Sequence, residues 1–143
     1  MATVTAELHE GTRAQVQARH FTWLGDEPAA AGGSDLGPTP YELLLGGLAS
    51  CVAITLRLYA DHKQIDLQMV RVELEFDRVH SDDCEECDER LDGFIERIRS
   101  NITIRGHFDA AQRSRLEQVA RRCPVHKTLA NGTEIFDSVS FEP

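Results

Sequence analysis

Residues 37–59 read Gly37-Pro38-Thr39-Pro40-Tyr41-Glu42-Leu43-Leu44-Leu45-Gly46-Gly47-Leu48-Ala49-Ser50-Cys51-Val52-Ala53-Ile54-Thr55-Leu56-Arg57-Leu58-Tyr59. The stretch opens as a helix N-terminus. Thr39 is placed to cap, Pro40 takes the first helical position where its missing N–H costs nothing, and Glu42 follows the cap by three residues. From Leu43 to Leu56 the residues are apolar on nearly every face, which predicts a helix buried all round. Gly46, Gly47, Ala49 and Ser50 interrupt it with small side chains. Each glycine costs a helix about 1 kcal/mol relative to alanine, so two in succession predict that something packs very close. Cys51 sits in the middle.

Working outward, the preceding chain reads as a β-hairpin over residues 3–22. Val4, Ala6 and Leu8 alternate with polar residues, Glu10-Gly11-Thr12 turns the chain, and Ala14, Val16 and Ala18 alternate again up to Arg19-His20-Phe21. Asp26 to Pro38 is a loop rich in glycine, proline and alanine. The long helix is expected from Thr39 to His62. After it, Val70, Val72, Leu74 and Phe76 alternate with Arg71, Glu73, Glu75 and Asp77, a half-exposed antiparallel strand over Gln68 to His80. Ser81 to Asp92 is an acidic loop. Phe94 to Gly106 returns as a strand, although Ile95 to Arg99 also reads as helix.

Asp109 and Gln112 form a second capping box. Behind it Leu116, Val119, Ala120 and Cys123 share a helix face. Pro124 ends that helix and restarts a short one over Val125 to Leu129, with Cys123 as its cap. Asn131-Gly132 turns into a last strand, Glu134 to Phe141. Strands, long helix, strands, helix and strand together give an α+β fold with antiparallel strands around a central helix.

Composition narrows the function. A chain of 143 residues suits one domain. A formal net charge of −9 disfavours nucleic acid as a partner. No apolar run flanked by positive charge marks a signal peptide, and the central helix, with glycines and Arg57, is expected to be too short in its apolar run to span a bilayer. The expected location is the cytoplasm. Four cysteines there point to catalysis, metal binding or inert packing rather than a structural disulfide framework. No phosphate loop, zinc-protease motif or serine-hydrolase elbow is present.

Cys51, on an apolar helix, reads as a small core residue or as a nucleophile. Cys123 at a helix N-terminus has unpaired N–H groups and a positive dipole end nearby, which lower a thiol pKa. His126 and Lys127 add positive potential. Cys84-Glu85-Glu86-Cys87 lies in the acidic loop. Without a second pair it is a weak zinc signal, and the surrounding carboxylates oppose thiolate formation. It reads as a minor surface feature, or as a labile disulfide or adventitious metal site.

Two motifs taken together, Gly37-Pro-Thr-Pro-x-Glu-Leu-Leu-Leu-Gly-Gly-Leu-Ala-Ser-Cys51 and Arg122-Cys123-Pro-Val-His-Lys-Thr-Leu129, resemble the cysteine motifs of the OsmC/Ohr family. The element order also matches, so the resemblance spans essentially the whole chain. The second motif and the acidic Cys-x-x-Cys loop resemble the OsmC-like branch that includes YhfA-type proteins. The resemblance implies an intertwined homodimer with active sites at the subunit interface. It implies a peroxidatic Cys51, a resolving Cys123, an organic hydroperoxide substrate and an external dithiol reductant. It calls for no cofactor and no metal. His126, Glu42, Tyr41 and Arg19 are its expected supporting residues. At the position after the motif's proline, where the family's peroxidases carry a glutamate that holds an arginine, this chain has Tyr41. Glu42 follows and is already used in the cap, and Arg19 is the candidate arginine.

Two further functions compete with hydroperoxide reduction. One is a non-catalytic module that binds an apolar small molecule, or a metal through Cys123 and His126. The other is a fold retained for its dimeric structure alone. The enzyme reading requires Cys51 and Cys123 within disulfide reach, with Cα atoms under about 7 Å apart.

Overall fold

The computed structural model describes residues 1–80 and 94–143. The acidic loop with Cys84 and Cys87 lies outside the described residues. The elements are β1 (Thr5–Glu7), β2 (Ala14–Ala18), β3 (Phe21–Gly25), α1 (Pro40–His62), β4 (Asp66–His80), β5 (Phe94–His107), α2 (Ala110–Ala120) and α3 (Pro124–Asn131). This is an α+β chain with two small antiparallel sheets and a long helix. Two compact units are distinguished, Met1–Gly47 with Leu74–Ser100 and Leu48–Glu73 with Asn101–Pro143.

The first unit holds the three-stranded sheet β1-β2-β3. Thr5 pairs with Gln17 and Glu7 with Gln15, as the hairpin pattern requires. The strand β3 was not expected. The chain turns again at Arg19, which takes a left-handed φ of 54°. Such a turn is uncommon for a side chain of this size and is not announced by glycine. It puts Trp23 opposite Val16.

The loop that follows is tied down by Asp26, a carboxylate with 2% exposure. Its oxygens accept from the Thr12 hydroxyl and from the N–H groups of Glu27, Ser34 and Leu36 at 2.7, 3.4 and 3.2 Å. Those bonds, the Thr12 hydroxyl first, hold the Asp26 pKa down to about 2 against the opposing effect of burial. Gly37 completes the loop. A side chain there would meet the Leu24 carbonyl oxygen at 2.5 Å.

The cap of α1 forms as the sequence predicts. Glu42 N–H donates to the Thr39 hydroxyl at 3.1 Å, and Thr39 N–H donates to the Glu42 carboxylate at 3.0 Å. The Asp109–Gln112 box at the start of α2 forms equally.

In the second unit the buried apolar residues are Leu48, Val52, Leu56, Ala60, Leu67, Leu116, Ala120 and Cys123. Four of them recur at every fourth position of α1. Burying a leucine side chain contributes about 1.5–3 kcal/mol, so this stripe fixes which face of α1 turns inward. Within one chain α1 is not buried all round. Ile54 and Leu58 are 57% and 64% exposed. Among the described residues, a methyl added at Gly46 or Gly47 would meet nothing within 4 Å beyond the helix's own backbone, so the close packing expected at the glycines is not seen there. By length and composition α1 would also suffice to cross a bilayer, against the expectation of too short an apolar run. The core helix of a globular domain passes the same test.

β4 and β5 pair with each other. His107 Nδ1 meets the Asp66 carboxylate at 2.6 Å, while Arg78 meets Glu96 at 2.7 Å. Those cross-strand pairs put the start of β4 beside the end of β5, the antiparallel arrangement. Residues 95–99 are strand, which resolves the helix alternative.

The expected last strand is absent. Residues 133–143 form neither helix nor strand, and Ile135, Phe136, Val139 and Phe141 are 78–94% exposed. An alternating segment becomes a strand only when another strand's edge accepts its hydrogen bonds, and among the described residues none pairs with it.

Candidate functional site

Cys51 lies on the fourth turn of α1 and Cys123 caps α3, both within the second unit. Pro124 at the first helical position of α3 cannot donate, so the next free N–H groups point back at the cap. His126 N–H donates to Cys123 Sγ at 3.2 Å, and Lys127 N–H bonds the Cys123 carbonyl at 3.1 Å. His126 meets Cys123 through its backbone N–H.

The two thiols are neighbours. Both are free, Cys51 half-buried and Cys123 buried. Burial pushes the Cys123 pKa up, the Cys51 thiol beside it pushes in the same direction, and the His126 N–H opposes them. The sequence expectation for Cys123, a thiol pKa lowered by the helix N-terminus, is therefore corrected. Desolvation disfavours the charged form more than the His126 and Val125 N–H groups of a short helix favour it. Burial, with Cys51, thereby favours the neutral thiol of Cys123.

Cys51 belongs to the outer face of α1. Leu44 and Leu58 lie seven residues before and after it, and Ile54 lies three after, so all four share one side of the helix. Leu44, Ile54 and Leu58 are exposed. The cysteine thus sits between the packed stripe and an open apolar one.

Tyr41 occupies a cluster in the first unit. Its ring stacks on Phe76 at 4.5 Å between centroids. Arg78 Nη2 donates to the Tyr41 hydroxyl at 3.2 Å and to Glu96 at 2.7 Å. Arg19 is placed elsewhere, in the β2–β3 turn with its guanidinium 4.9 Å from the Phe21 ring centre. Arg78 thus bridges the Tyr41 hydroxyl and the Glu96 carboxylate. Sequence reasoning missed both. The alternation that put Phe76 on one face of β4 was visible, but a contact between residues 37 positions apart was not. Glu42 stays at the helix cap, where the Thr39 N–H lowers its pKa.

The sequence profile of the OsmC-like protein family matches residues 32–136. The chain belongs to the OsmC-like family. That match includes both cysteines, the cap of α1 and the whole of α3. Solved structures agree in fold. An OsmC-like protein from Mycoplasma pneumoniae is similar with a TM-score of 0.70 and 23% identity, over 91% of this chain and 87% of that one. An organic hydroperoxide resistance protein OsmC from Legionella pneumophila gives 0.63 and 20%, over 90% and 88%. The organic hydroperoxide resistance protein OhrB of Bacillus subtilis gives 0.57 and 23%, over 89% and 88%. No curated protein sequence matches.

Proposed function

We propose that this protein reduces organic hydroperoxides with a pair of thiols, in defence against oxidative stress in the cytoplasm. The observation that carries the reading is the interaction of the two thiols, Cys51 raising the pKa of Cys123. Family membership and the named hydroperoxide resistance of similar folds support it.

The Cys51 thiolate attacks the outer peroxide oxygen, the O–O bond breaks, and the alkoxide takes a proton to leave as an alcohol. Cys51 becomes a sulfenic acid. The Cys123 sulfur then displaces hydroxide from it, and water leaves as the Cys51–Cys123 disulfide forms. An external dithiol restores both thiols by exchange and is itself oxidised to a disulfide. Cys123 enters this sequence protonated, so it does not compete with Cys51 for the hydroperoxide.

The working form is a homodimer. Eight buried apolar residues form the core of the second unit, while the outer stripe of α1 and the segment 133–143 stay uncovered within one chain. A second copy covering the stripe would enclose Cys51 in apolar walls, which favours alkyl over hydrogen peroxide. The same stripe suits an apolar ligand held without turnover, the competing reading. Steady-state reduction of cumene hydroperoxide with dithiothreitol separates the two. Turnover that is lost in Cys51→Ser supports the peroxidase, whereas a wild-type protein that consumes no hydroperoxide refutes it.

A further inference from the structure

Charge is distributed unevenly along the chain. The formal net charge is −9, yet across α2 and α3 the cations Arg113, Arg115, Arg121, Arg122 and Lys127 are set against a single carboxylate, Glu117. All five cations are exposed. Among the described residues none of them makes a salt bridge, and Arg115 donates only to the neutral Gln118 side chain, at 3.1 Å. Helix chemistry accounts for part of this. Arg121 and Arg122 follow the last turn of α2, where the dipole favours cations. Lys127 stands near the start of α3, where the dipole favours anions and the first turn has no acidic residue. Exposed like charges repel one another, and a partner of opposite charge removes that cost.

We infer that the α2–α3 surface docks an acidic protein, and that this protein carries the external dithiol that resets the thiol pair. The docking stands on the charge pattern; the resetting rests on the proposed peroxidase reading. The place suits the task. Arg121 and Arg122 precede Cys123 and Lys127 follows it, while the His126 N–H fixes Cys123 Sγ within the same junction at 3.2 Å. The other carboxylates of the chain lie outside these two helices, so an acidic protein is repelled elsewhere and steered here. A nucleic acid, charged along its whole length, meets that repulsion wherever it extends past the junction.

Resetting balances in two exchanges. A partner thiolate attacks one sulfur of the Cys51–Cys123 disulfide, the S–S bond breaks, and the other cysteine leaves and takes a proton. The partner's second thiol then closes on its first, which releases the remaining cysteine as a thiol. Two electrons and two protons pass from the partner's dithiol, which ends as a disulfide.

The test uses the reduced full-length Cys84→Ser/Cys87→Ser protein. It is mixed with short peptides carrying one cysteine activated as a thionitrobenzoate disulfide and flanked by glutamates, glutamines or lysines. Attack by a protein thiolate forms a protein–peptide disulfide and releases thionitrobenzoate, read by its absorbance. Cys51, the less buried thiol, is the reporter. The glutamate peptide should react about tenfold faster than the glutamine peptide at low salt, and the lysine peptide slowest. The difference should collapse at about 500 mM sodium chloride. In Arg121→Glu/Arg122→Glu, with folding checked by circular dichroism, the glutamate advantage should vanish. Should that variant unfold, the salt dependence of the parent still decides. A parent with no glutamate advantage, or a folded variant that keeps it, overturns the proposal. So does an oligothymidylate that suppresses the reaction at lower concentration than a serine-for-cysteine glutamate peptide, which assigns the surface to nucleic acid. A dimer lost in the folded variant assigns it to a second copy and overturns it equally. Hydroperoxide turnover with dithiothreitol is scored separately, so either reading can fail alone.

Discussion

The Cys51 thiol raises the pKa of Cys123, adding to the effect of burial on the second sulfur. The pair is thereby divided by environment, with one thiol half-buried on α1 and one buried and protonated at the cap of α3. Replacing Cys51 with serine removes one of the two causes that raise the Cys123 pKa. The thiolate absorbance of Cys123 in Cys51→Ser, followed by ultraviolet titration in a Cys84→Ser/Cys87→Ser background, should appear at lower pH than in the parent. An unchanged or higher titration would show that the sulfurs do not interact. Iodoacetamide should label Cys51 before Cys123, read by peptide mass spectrometry.

The capping boxes were legible in the sequence because they are local. Thr39 with Glu42, Asp109 with Gln112, and Cys123 with Pro124 each act within one turn, so residue type and spacing suffice. What depended on tertiary surroundings was not legible. The turn at Arg19 that creates β3 uses a left-handed arginine rather than glycine. The direction of the Cys123 shift is decided by burial, which no local pattern reports. The Tyr41–Arg78–Glu96 cluster joins α1, β4 and β5. The segment Glu134 to Phe141 has the alternation of a strand, but alternation cannot supply a neighbouring edge.

Acid should act through Asp26. Its folded pKa is about 2 against an ordinary 3.8, so the folded state holds its proton less tightly than the unfolded chain. That contribution is complete above the unfolded value and is lost as pH falls from about 4 toward 2. Asp26→Asn should unfold at lower denaturant concentration at neutral pH. Its stability should change less than that of the wild type across this window. Urea midpoints at a series of pH values provide the check, and parallel pH profiles would contradict the assignment.

The two faces of α1 should respond differently to truncation. Leu56 is fully buried in the chain, and Leu56→Ala should cost about 2–5 kcal/mol in urea unfolding. Leu58 is 64% exposed within one chain. If a second copy covers that face, Ile54→Asp/Leu58→Asp should convert a dimer to a monomer in analytical ultracentrifugation. A wild-type protein that sediments as a monomer at micromolar concentration would remove the homodimer from the account.

The cap at Thr39 fixes where α1 begins. Thr39→Ala should lower stability by about 1 kcal/mol, measured by urea unfolding. Thr39→Ser should retain most of it, because a serine hydroxyl accepts the same Glu42 N–H. Equal losses in both variants would show that the cap bond is not what stabilises this end of the helix.

One measurement reaches the central claim most directly. Reduced protein is given one equivalent of cumene hydroperoxide, digested, and its disulfides mapped by mass spectrometry, with Cys123→Ser run alongside. The account predicts a rapid Cys51–Cys123 disulfide in the wild type and a trapped sulfenic acid on Cys51 in the variant. Two thiols that stay reduced, or oxidation confined to Cys84 and Cys87, would contradict it.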